Sequence, residues 1–449
     1  MKDLEKFFNP KSILIIGVSR KEYTFNYTIL KNLLEIFYQG KIYIVNPNAD
    51  EILGVKSYHS LEELPEVPEL AVIMLGQDIL NIVEQLGKFG VKQICIQSEL
   101  KTGIKYEELI LKLNTLCNKY EMAYLGPSMI GILNFLDNFT TSIIPVRQYI
   151  VRKNKSADSG LSYLAQSGGL AGAMGWWRPP QDTPISKVIH LGKSSYMAEA
   201  DVIHYFLSDN STKVISLFLR DITPDLVDAV EKVAPHKPIL FFYVGKDKSM
   251  ESKLEKAGGI PVENYIELFE IAKIFLWCPE PNGRRLGIIG PSSGAIYLIV
   301  NEMRKQNLSL ARPDKESQKI LLDEIGGSTC AFGNPVDYWP PDRFIGTKIC
   351  EIYNTSSQTL LNDDNVDALI LALEFFIEIE FDFNIFERVK QEFKEKPIIT
   401  ILIQAEQEGA KRVINTASKL KIPVFENEIE RAVRGYRYLL DYAKKIKKK

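Results

Sequence analysis

Short hydrophobic segments rich in β-branched residues alternate with segments of helical periodicity along most of this sequence, and each hydrophobic segment ends in small or turn residues. This alternation is typical of parallel β-sheets whose strands are joined by crossover helices. In the first third of the chain the predicted strands are residues 11–17, 41–45, 70–74 and 92–96. Between the last two strands, apolar residues at positions 79, 82, 83, 86 and 89 share one face of a predicted helix, which Asp78 is expected to cap.

The length of 449 residues is too great for one hydrophobic core, so several domains are expected. The pattern predicts three α/β units, with bounds at 1–135, 161–280 and 281–449. A polar stretch at residues 136–160 is predicted to be a linker or an exposed hairpin. The predicted strands of the second and third units are residues 161–165, 187–191, 214–219, 238–244, 285–290, 368–373, 397–403 and 422–425.

Composition and charge disfavour several classes of function. The net charge is −2, so no general basic field favours nucleic acid as a partner. No apolar run approaches the roughly 20 residues that a membrane span requires, and the first residues lack the apolar core of a signal peptide. The five cysteines are scattered without CxxC spacing, which disfavours a disulfide framework and a thiolate zinc site. We therefore expect a cytoplasmic protein with no metal, no nucleic-acid partner and no membrane partner.

The turn after the first predicted strand has features of a phosphate-binding loop. Gly17 permits a tight turn, and Ser19 can donate a hydrogen bond to a phosphate. Arg20 and Lys21 add positive charge, although the turn lacks the three glycines of a dinucleotide fingerprint. A loop that merely turns the chain stays open as an alternative.

The end of the second predicted strand, Val45–Asn46–Pro47, bears on which nucleotide would bind. An NAD site usually has an acidic residue at this position to bind the ribose hydroxyl groups. Its absence, together with the two cations of the first turn, favours a nucleotide decorated with further phosphate over NAD.

A second anion-binding signal is the sequence Gln166–Ser167–Gly168–Gly169, at the end of a predicted strand and the start of a helix. The free N–H groups at a helix start bind anions. Ser167, Gly168 and Gly169 are therefore candidate phosphate-binding residues, although such a sequence also starts helices for steric reasons alone. Turns at 290–294 and 333–337 carry weaker signals of the same kind.

Taken in order, these motifs resemble the α part of the NDP-forming acyl-CoA synthetases, relatives of succinyl-CoA synthetase. The resemblance covers nearly the whole chain. Its markers are the segments 8–13, 17–19, 43–47, 53–58, 126–127, 166–169, 199–201 and 333–337, together with Gly131 and Asn134.

The resemblance implies an α/β fold with a Rossmann-like CoA-binding domain followed by two flavodoxin-like ligase domains. It also implies coenzyme A as ligand and the interconversion of acyl-CoA, phosphate and ADP with free acid, CoA and ATP. The strand ends Leu75–Gly76 and Gln97–Ser98 would complete the CoA site begun at Gly17. In such enzymes a histidine carries the phosphoryl group to an ATP-grasp part, which alone binds ADP or ATP. Because this chain encodes no such part, an ATP-grasp β subunit and a homo- or hetero-oligomer are the expected partners.

The sequence departs from the family at that histidine. The family places it in a loop after the strand that matches 239–245, and here this segment contains none. Among the four histidines, His190 ends a strand near the expected phosphate site and is the only substitute worth testing, and Glu199 would hydrogen-bond the imidazole. The glycines of the family's first CoA loop are also replaced, around residues 23–26.

Three hypotheses remain at this point. In the first, the chain is a CoA- or acyl-CoA-binding homologue that has lost the phosphohistidine relay and is either a regulatory or scaffold subunit or a catalyst of acyl transfer between phosphate and CoA. In the second, it is a working α subunit of an ADP-forming acyl-CoA ligase. The third hypothesis, a nicotinamide-dependent oxidoreductase, is disfavoured by the lone glycine and the missing acidic residue. The sequence does not identify the acyl group.

Overall fold

The computed structural model divides into two compact units, Met1–Pro179 with Pro184–Leu268 and Pro180–Thr183 with Phe269–Lys449. The structure describes residues 4–101, 103–155, 159–193, 195–324, 332–338, 346–374 and 381–447. No helix in these ranges is both long enough and apolar enough to cross a membrane.

The first unit begins with a doubly wound α/β layer. Its elements are α1 (Glu5–Phe8), β1 (Ser12–Ile16), α2 (Phe25–Glu35), β2 (Lys41–Val45), β3 (Glu51–Ile52), β4 (Val55–Tyr58), β5 (Leu70–Ile73), α3 (Ile79–Phe89), β6 (Gln93–Ile96), α4 (Tyr106–Tyr120) and β7 (Ala123–Leu125). The strand order is β3-β4-β2-β1-β5-β6-β7, and all neighbours are parallel except β3 and β4. The chain therefore reverses its winding direction between β1 and β5, and ligands of such sheets bind at this switch point.

Helix α3 spans the predicted residues, but its start differs from the prediction. Asp78 has φ 52°, and its side chain makes no capping hydrogen bond to the helix. Its carboxylate instead accepts a hydrogen bond from Asn81 Nδ2 at 2.9 Å. A capping side chain needs an extended backbone at that residue, and the left-handed conformation of Asp78 turns the carboxylate away from the free N–H groups.

A second seven-stranded sheet completes the first unit. Its elements are β8 (Gly131–Asn134), β9 (Phe139–Thr140), α5 (Gln148–Lys155), β10 (Gly160–Ala165), α6 (Gly168–Ala173), β11 (Ile185–His190), α7 (Glu199–Ser208), β12 (Thr212–Leu219), α8 (Pro224–Val233), β13 (Ile239–Tyr243), α9 (Lys248–Lys256) and β14 (Ile260–Pro261). The order is β14-β13-β12-β10-β11-β8-β9, and only β8 and β9 run antiparallel to their neighbours.

The stretch interpreted from the sequence as a linker or exposed hairpin is largely ordered. Residues Phe139–Thr140 pair with β8, and residues Gln148–Lys155 form α5. Ile150 and Val151 are buried, so the helix has an apolar face that the many polar residues around it obscure in the sequence. Because β8 and β9 belong to the second sheet, the predicted boundary at residue 135 falls between two paired strands; the domain bounds stay predictions.

The second unit contains a six-stranded sheet in which every described pair of strands is parallel. Its elements are α10 (Glu267–Trp277), β15 (Arg285–Gly290), α11 (Ser293–Lys305), β16 (Ser309–Leu310), α12 (Lys315–Lys319), a π-helical turn (Ile320–Glu324), β17 (Val336–Asp337), α13 (Gly346–Asn362), β18 (Ala368–Leu373), α14 (Ile385–Glu392), β19 (Ile398–Leu402), α15 (Gln407–Leu420), β20 (Val424–Glu426) and α16 (Ile429–Lys447). A short turn at Pro180–Asp182 also belongs to this unit.

Candidate functional site

A cavity of about 1240 Å³ lies at the carboxyl ends of the strands of the first sheet. Its walls come from β1 and β2 on one side of the switch point and from β5 and β6 on the other. Ser128, Met129 and Ile130 close the far end, together with Lys193 from the loop after β11. The cavity therefore extends from the first α/β layer to the edge of the second sheet.

Five of the predicted CoA-binding residues line this cavity, namely Pro47, Leu75, Gly76, Gln97 and Ser98. The other six, Gly17, Ser19, Arg20, Lys21, Val45 and Asn46, are not among its lining residues. Their contact with CoA stays a prediction, and several of them have roles within the loops.

Gly17 and Leu75 pack against each other at the switch point. Gly17 has φ 89°, and a Cβ atom at this position would lie 2.7 Å from Leu75 Cγ. Only glycine satisfies both conditions without strain. Gly17 thus shapes the wall that Leu75 presents to the cavity.

Two further predicted residues brace the loops behind this wall. Ser19 Oγ accepts a hydrogen bond from Lys21 N at 3.0 Å. Asn46 Nδ2 donates to Val18 O at 3.1 Å, while Asn46 Oδ1 accepts from Asn48 N at 2.9 Å. Asn46 therefore joins the β1 and β2 loops in the position where an NAD site would need a carboxylate.

Gln97 is a buried polar residue in the cavity wall, with 4% of its surface exposed. Its Nε2 donates to Thr141 O at 2.7 Å. Its Oε1 is buried and accepts no hydrogen bond from any residue that the structure describes. A buried acceptor without a donor is costly, so this oxygen is an unfavourable feature of the wall.

The predicted phosphate-binding turn lies at the end of β10, next to the far end of the cavity. A Cβ atom on Gly168 would lie 2.4 Å from Ile130 Cγ1 and 3.3 Å from His190 Cε1, whereas one on Gly169 would meet no atom within 4 Å. Gly168 is therefore required by close packing, and Gly169 faces open space. Because Ile130 lines the cavity as well, the two predicted binding regions meet at this residue.

Gln166 joins three elements around the turn. Its Nε2 donates to Glu199 Oε1 at 2.9 Å, and its Oε1 accepts from Arg220 N and Asp221 N at 2.7 and 2.9 Å. Glu199, which the resemblance assigns to a histidine ring, is thus bound by the amide of Gln166. The exposed Arg220 brings a cation to the same edge of the sheet.

His190 ends β11 with its ring partly buried. Its Nδ1 accepts a hydrogen bond from Ile130 N at 3.0 Å, so the neutral ring carries its proton on Nε2. Burial and the positive charge of Arg220 lower the pKa of His190 to about 4. The imidazole is therefore neutral near pH 7, but its lone pair is occupied by the backbone N–H group.

The segment where the family carries its histidine follows β13. Here Asp247 caps α9 by accepting hydrogen bonds from Ser249 N and Met250 N, both at 3.0 Å. The sequence between β13 and β14 contains no histidine, and His236 lies on the opposite side of β13 in the chain.

The sequence interpretation missed several residues of the site. One to ten residues beyond the ends of β1, β6, β7, β11 and β12 lie Phe25, Asn26, Lys101, Ser128, Lys193 and Arg220. Their positions along the chain are a usable signal, but the sequence does not show which loops turn toward the ligand. In the part of the chain that the structure describes, no group of three or more His, Cys, Asp or Glu side chains could hold a metal ion.

Comparison with known domain families yields two matches. The CoA-binding domain matches residues 11–134, and the succinyl-CoA ligase-like flavodoxin domain matches residues 158–253. The first covers the sheet that holds the cavity, and the second covers the phosphate-binding turn and continues into α9.

Comparison with curated proteins extends the likeness to the whole chain. The α subunit of acetate–CoA ligase [ADP-forming] II from Pyrococcus furiosus is 26% identical over 472 residues, covering 99% of this chain and 98% of that subunit. Acetate–CoA ligase [ADP-forming] II from Archaeoglobus fulgidus is 27% identical, covering 99% of this chain and 67% of that protein.

Solved structures agree with this likeness. A crystal structure of a Pyrococcus horikoshii OT3 protein has a TM-score of 0.85 and 25% identity, covering 99% of this chain and 100% of its own. The dinucleotide-forming acetyl-coenzyme A synthetase 1 of Ca. Korarchaeum cryptofilum, in complex with phosphate and ADP, has a TM-score of 0.84 and 24% identity over 100% of this chain. The fold class expected from the sequence and the resemblance to the α part of the NDP-forming acyl-CoA synthetases are both confirmed.

Proposed function

We propose that this chain, a relative of the ADP-forming acetate–CoA ligase α subunits over its whole length, binds CoA and acyl-CoA and presents the thiol end to a phosphate-binding turn. The observation that carries this proposal is the position of Ile130. It lines the cavity of the CoA-binding domain and also packs beside Gly168, where the phosphate-binding turn begins. A thiol at this end of the cavity would lie next to an anion held by that turn.

The chemistry of such an arrangement is exchange between a thioester and an acyl phosphate. A phosphate oxygen attacks the thioester carbonyl carbon, the C–O bond forms, the C–S bond breaks, and the CoA thiolate leaves and takes a proton from water. The first N–H groups of α6 would hold the phosphate, and the Arg220 guanidinium would offset its charge. ATP formation from the acyl phosphate would require the ATP-grasp subunit proposed as partner, in a homo- or hetero-oligomer, and a cytoplasmic location stays a prediction.

Two versions of the later phosphoryl steps are proposed. In the first, the chain has diverged from the phosphohistidine relay, which the segment after β13 supports because it contains no histidine. In the second, the chain is a working ligase subunit that uses His190 or transfers the phosphoryl group directly. The end-to-end alignment with an acetate–CoA ligase α subunit supports the second version.

CoA binding is tested by thermal unfolding of the full chain. At about 100 times its dissociation constant, CoA should raise the free energy of unfolding by about 2.7 kcal/mol, because it binds only the folded state. NAD at the same concentration should leave the unfolding temperature unchanged. Stabilisation by NAD but not by CoA would contradict the proposal.

The two versions of the relay are separated by one reaction mixture. The chain is incubated with acetyl-CoA as probe, labelled phosphate, ADP and an ATP-grasp β subunit. The working-ligase version predicts ATP, with an acid-labile phosphoprotein that His190→Gln abolishes if His190 is the acceptor, or without phosphoprotein if transfer is direct. The diverged version that retains the half reaction predicts acetyl phosphate and free CoA without ATP. The absence of any exchange would refute both catalytic versions and leave a regulatory or scaffold subunit.

A further inference from the structure

A further cavity, of about 790 Å³, lies in the second unit. Its lining residues come from α13, from the chain that leads into α14 and from α15. Small-molecule sites in proteins typically measure roughly 300–1,000 Å³. The cavity is therefore large enough for a small ligand, and it shares no residue with the cavity of the predicted CoA site.

The floor of this second-unit cavity is apolar and well packed. Phe381, Phe383, Ile385 and Val413 supply its apolar surface. Phe383 and Val413 are each only 2% exposed and belong to a hydrophobic core of the unit. The ring of Phe381 packs edge-on against Tyr353, with the ring centroids 5.3 Å apart. The floor is therefore held in place by the core, and it needs little ordering to receive an apolar group.

Two exposed side chains of opposite charge line the same cavity, Glu351 from α13 and Arg412 from α15. Neither forms an ion pair or a hydrogen bond with any residue of the described ranges. Glu408, one helical turn before Arg412, pairs with Lys411 at 2.9 Å instead. The cation and the carboxylate are therefore both available to a ligand.

The other carboxylate of the lining, that of Asp382, is used within its own turn. Asp382 Oδ1 accepts hydrogen bonds from Asn384 N and Asn384 Nδ2 at 3.0 and 2.7 Å. Asp382 N donates to Cys350 Sγ at 3.3 Å, which joins this turn to α13. Glu351 is therefore the carboxylate of the cavity that lacks a donor of its own.

We propose that this second-unit cavity binds a small zwitterion with an apolar side chain, the chemistry of a hydrophobic α-amino acid. The ligand carboxylate would accept hydrogen bonds from Arg412, its ammonium group would donate to Glu351, and its side chain would cover Phe381. A ligand with a single charge would satisfy one of the two ionised groups and be repelled by the other. The site goes beyond the proposed function, because the predicted CoA- and phosphate-binding residues all lie in the first unit.

The probe is L-phenylalanine, and two derivatives each lack one of its charges. L-Phenylalaninol retains the ammonium group, and N-acetyl-L-phenylalanine retains the carboxylate. Isothermal titration of the full-length chain at low ionic strength gives the three dissociation constants. We expect L-phenylalanine to bind about 5-fold more tightly than either derivative, because only the zwitterion pairs with both ionised groups.

Two variants assign the charges. Arg412→Gln should weaken binding of L-phenylalanine about 5-fold and leave that of L-phenylalaninol unchanged, since this derivative has no carboxylate. Glu351→Gln should weaken L-phenylalanine to the same extent and leave N-acetyl-L-phenylalanine unchanged. The matched control is Arg388→Gln on α14, an exposed arginine that does not line this cavity, and it should change none of the constants. Thermal unfolding of each variant shows that it is folded.

The inference is overturned if the chain does not bind L-phenylalanine, or if either charge variant leaves this affinity unchanged. Equal affinity for L-phenylalanine and one of its derivatives would also overturn it, since a single charge would then be enough. Analytical ultracentrifugation tests a different occupant of the cavity. If Arg412→Gln changes the molecular mass without weakening L-phenylalanine, the surface belongs to a contact with a second copy of the chain, and the inference is wrong.

Discussion

His190 shows how one hydrogen bond decides what a side chain can do. A neutral imidazole attacks phosphorus through an unprotonated nitrogen with a free lone pair. In His190 the unprotonated nitrogen is Nδ1, and it accepts a hydrogen bond from Ile130 N. This bond links β11 to the residue where the cavity meets the phosphate-binding turn. Phosphorylation of His190 would require this bond to break first.

The lowered pKa of His190 predicts a dependence of stability on pH. The unfolded chain takes up a proton below pH 6.5, whereas the folded chain resists it down to about pH 4. The stability contributed by the neutral ring is therefore complete above pH 6.5 and is lost as the pH falls toward 4. At 1.36 kcal/mol per pKa unit, its upper bound is about 3.4 kcal/mol. The free energy of unfolding is measured in urea between pH 4 and 7.5. His190→Gln should reduce the slope of this free energy against pH.

The control for this prediction is the exposed His236. Carboxylates titrate in the same pH range, so only the difference between variant and unsubstituted chain is informative. For His236→Gln, the free energy of unfolding plotted against pH should run parallel to that of the unsubstituted chain. If His190→Gln gives a parallel curve as well, the ring is not kept neutral by its surroundings.

At the scale of elements, α2 organises the segment between β9 and α5. Asn32 Nδ2 donates to Ser142 O and Ile144 O, each at 2.8 Å. Asn32 Oδ1 accepts from Val146 N at 3.0 Å. Gln97 holds the neighbouring Thr141 O. Two side-chain amides thus satisfy backbone groups of this segment and hold it against the cavity wall.

We predict that Asn32→Leu destabilises the first unit by about 2–5 kcal/mol. The substitution keeps the branched shape of the side chain but removes the partners of Ser142 O and Val146 N, while Ile144 O keeps a hydrogen bond from Ser142 Oγ. Each unsatisfied buried group costs about 1–3 kcal/mol. The free energy of unfolding in urea is the measurement. Lys31→Ala, on the exposed side of the same helix, should change it by less than about 0.5 kcal/mol. Equal effects of the two substitutions would show that the amide contributes nothing.

At the scale of the whole molecule, the predicted binding residues all lie in one unit. The cavity, the predicted phosphate-binding turn and His190 belong to the first unit. The second unit has hydrophobic cores of its own on both faces of its sheet. A bidentate ion pair within this unit joins Arg285 to Asp367. Arg285 Nε donates to Asp367 Oδ2 at 3.0 Å, and Arg285 Nη2 donates to Asp367 Oδ1 at 2.8 Å.

This division predicts that CoA stabilises the two units unequally. Hydrogen exchange of backbone amides in urea should show protection by CoA in β1, β5 and β10, with little change in β18 and β19, because a ligand stabilises the unit that binds it. Arg285→Met should do the reverse and increase exchange in the second unit alone. Equal protection of both units by CoA would show that they unfold as one.

Much of the fold follows from local patterns in the sequence. Four elements have the predicted bounds, namely the strands at 41–45, 285–290 and 368–373 and the helix at 79–89. Their patterns, runs of β-branched residues and one apolar helical face, lie within short continuous segments of the sequence. The start of α3 and the presence of α5 were harder to predict. Asp78 has the composition of a cap but the wrong backbone conformation, and α5 has too few apolar residues to be recognised without its neighbours.

The sequence by itself therefore determined the α/β class, the order of the strands along the chain and the turns that could bind phosphate. Only the tertiary structure decided which of those turns share a cavity, because residues more than 100 positions apart meet there through the order of strands within a sheet. It placed Ile130 between the cavity and Gly168, gave the lone pair of His190 to a backbone N–H group, and brought Phe25 and Lys193 into the lining of one cavity. Local periodicity carries no record of such contacts, since they depend on how whole elements pack.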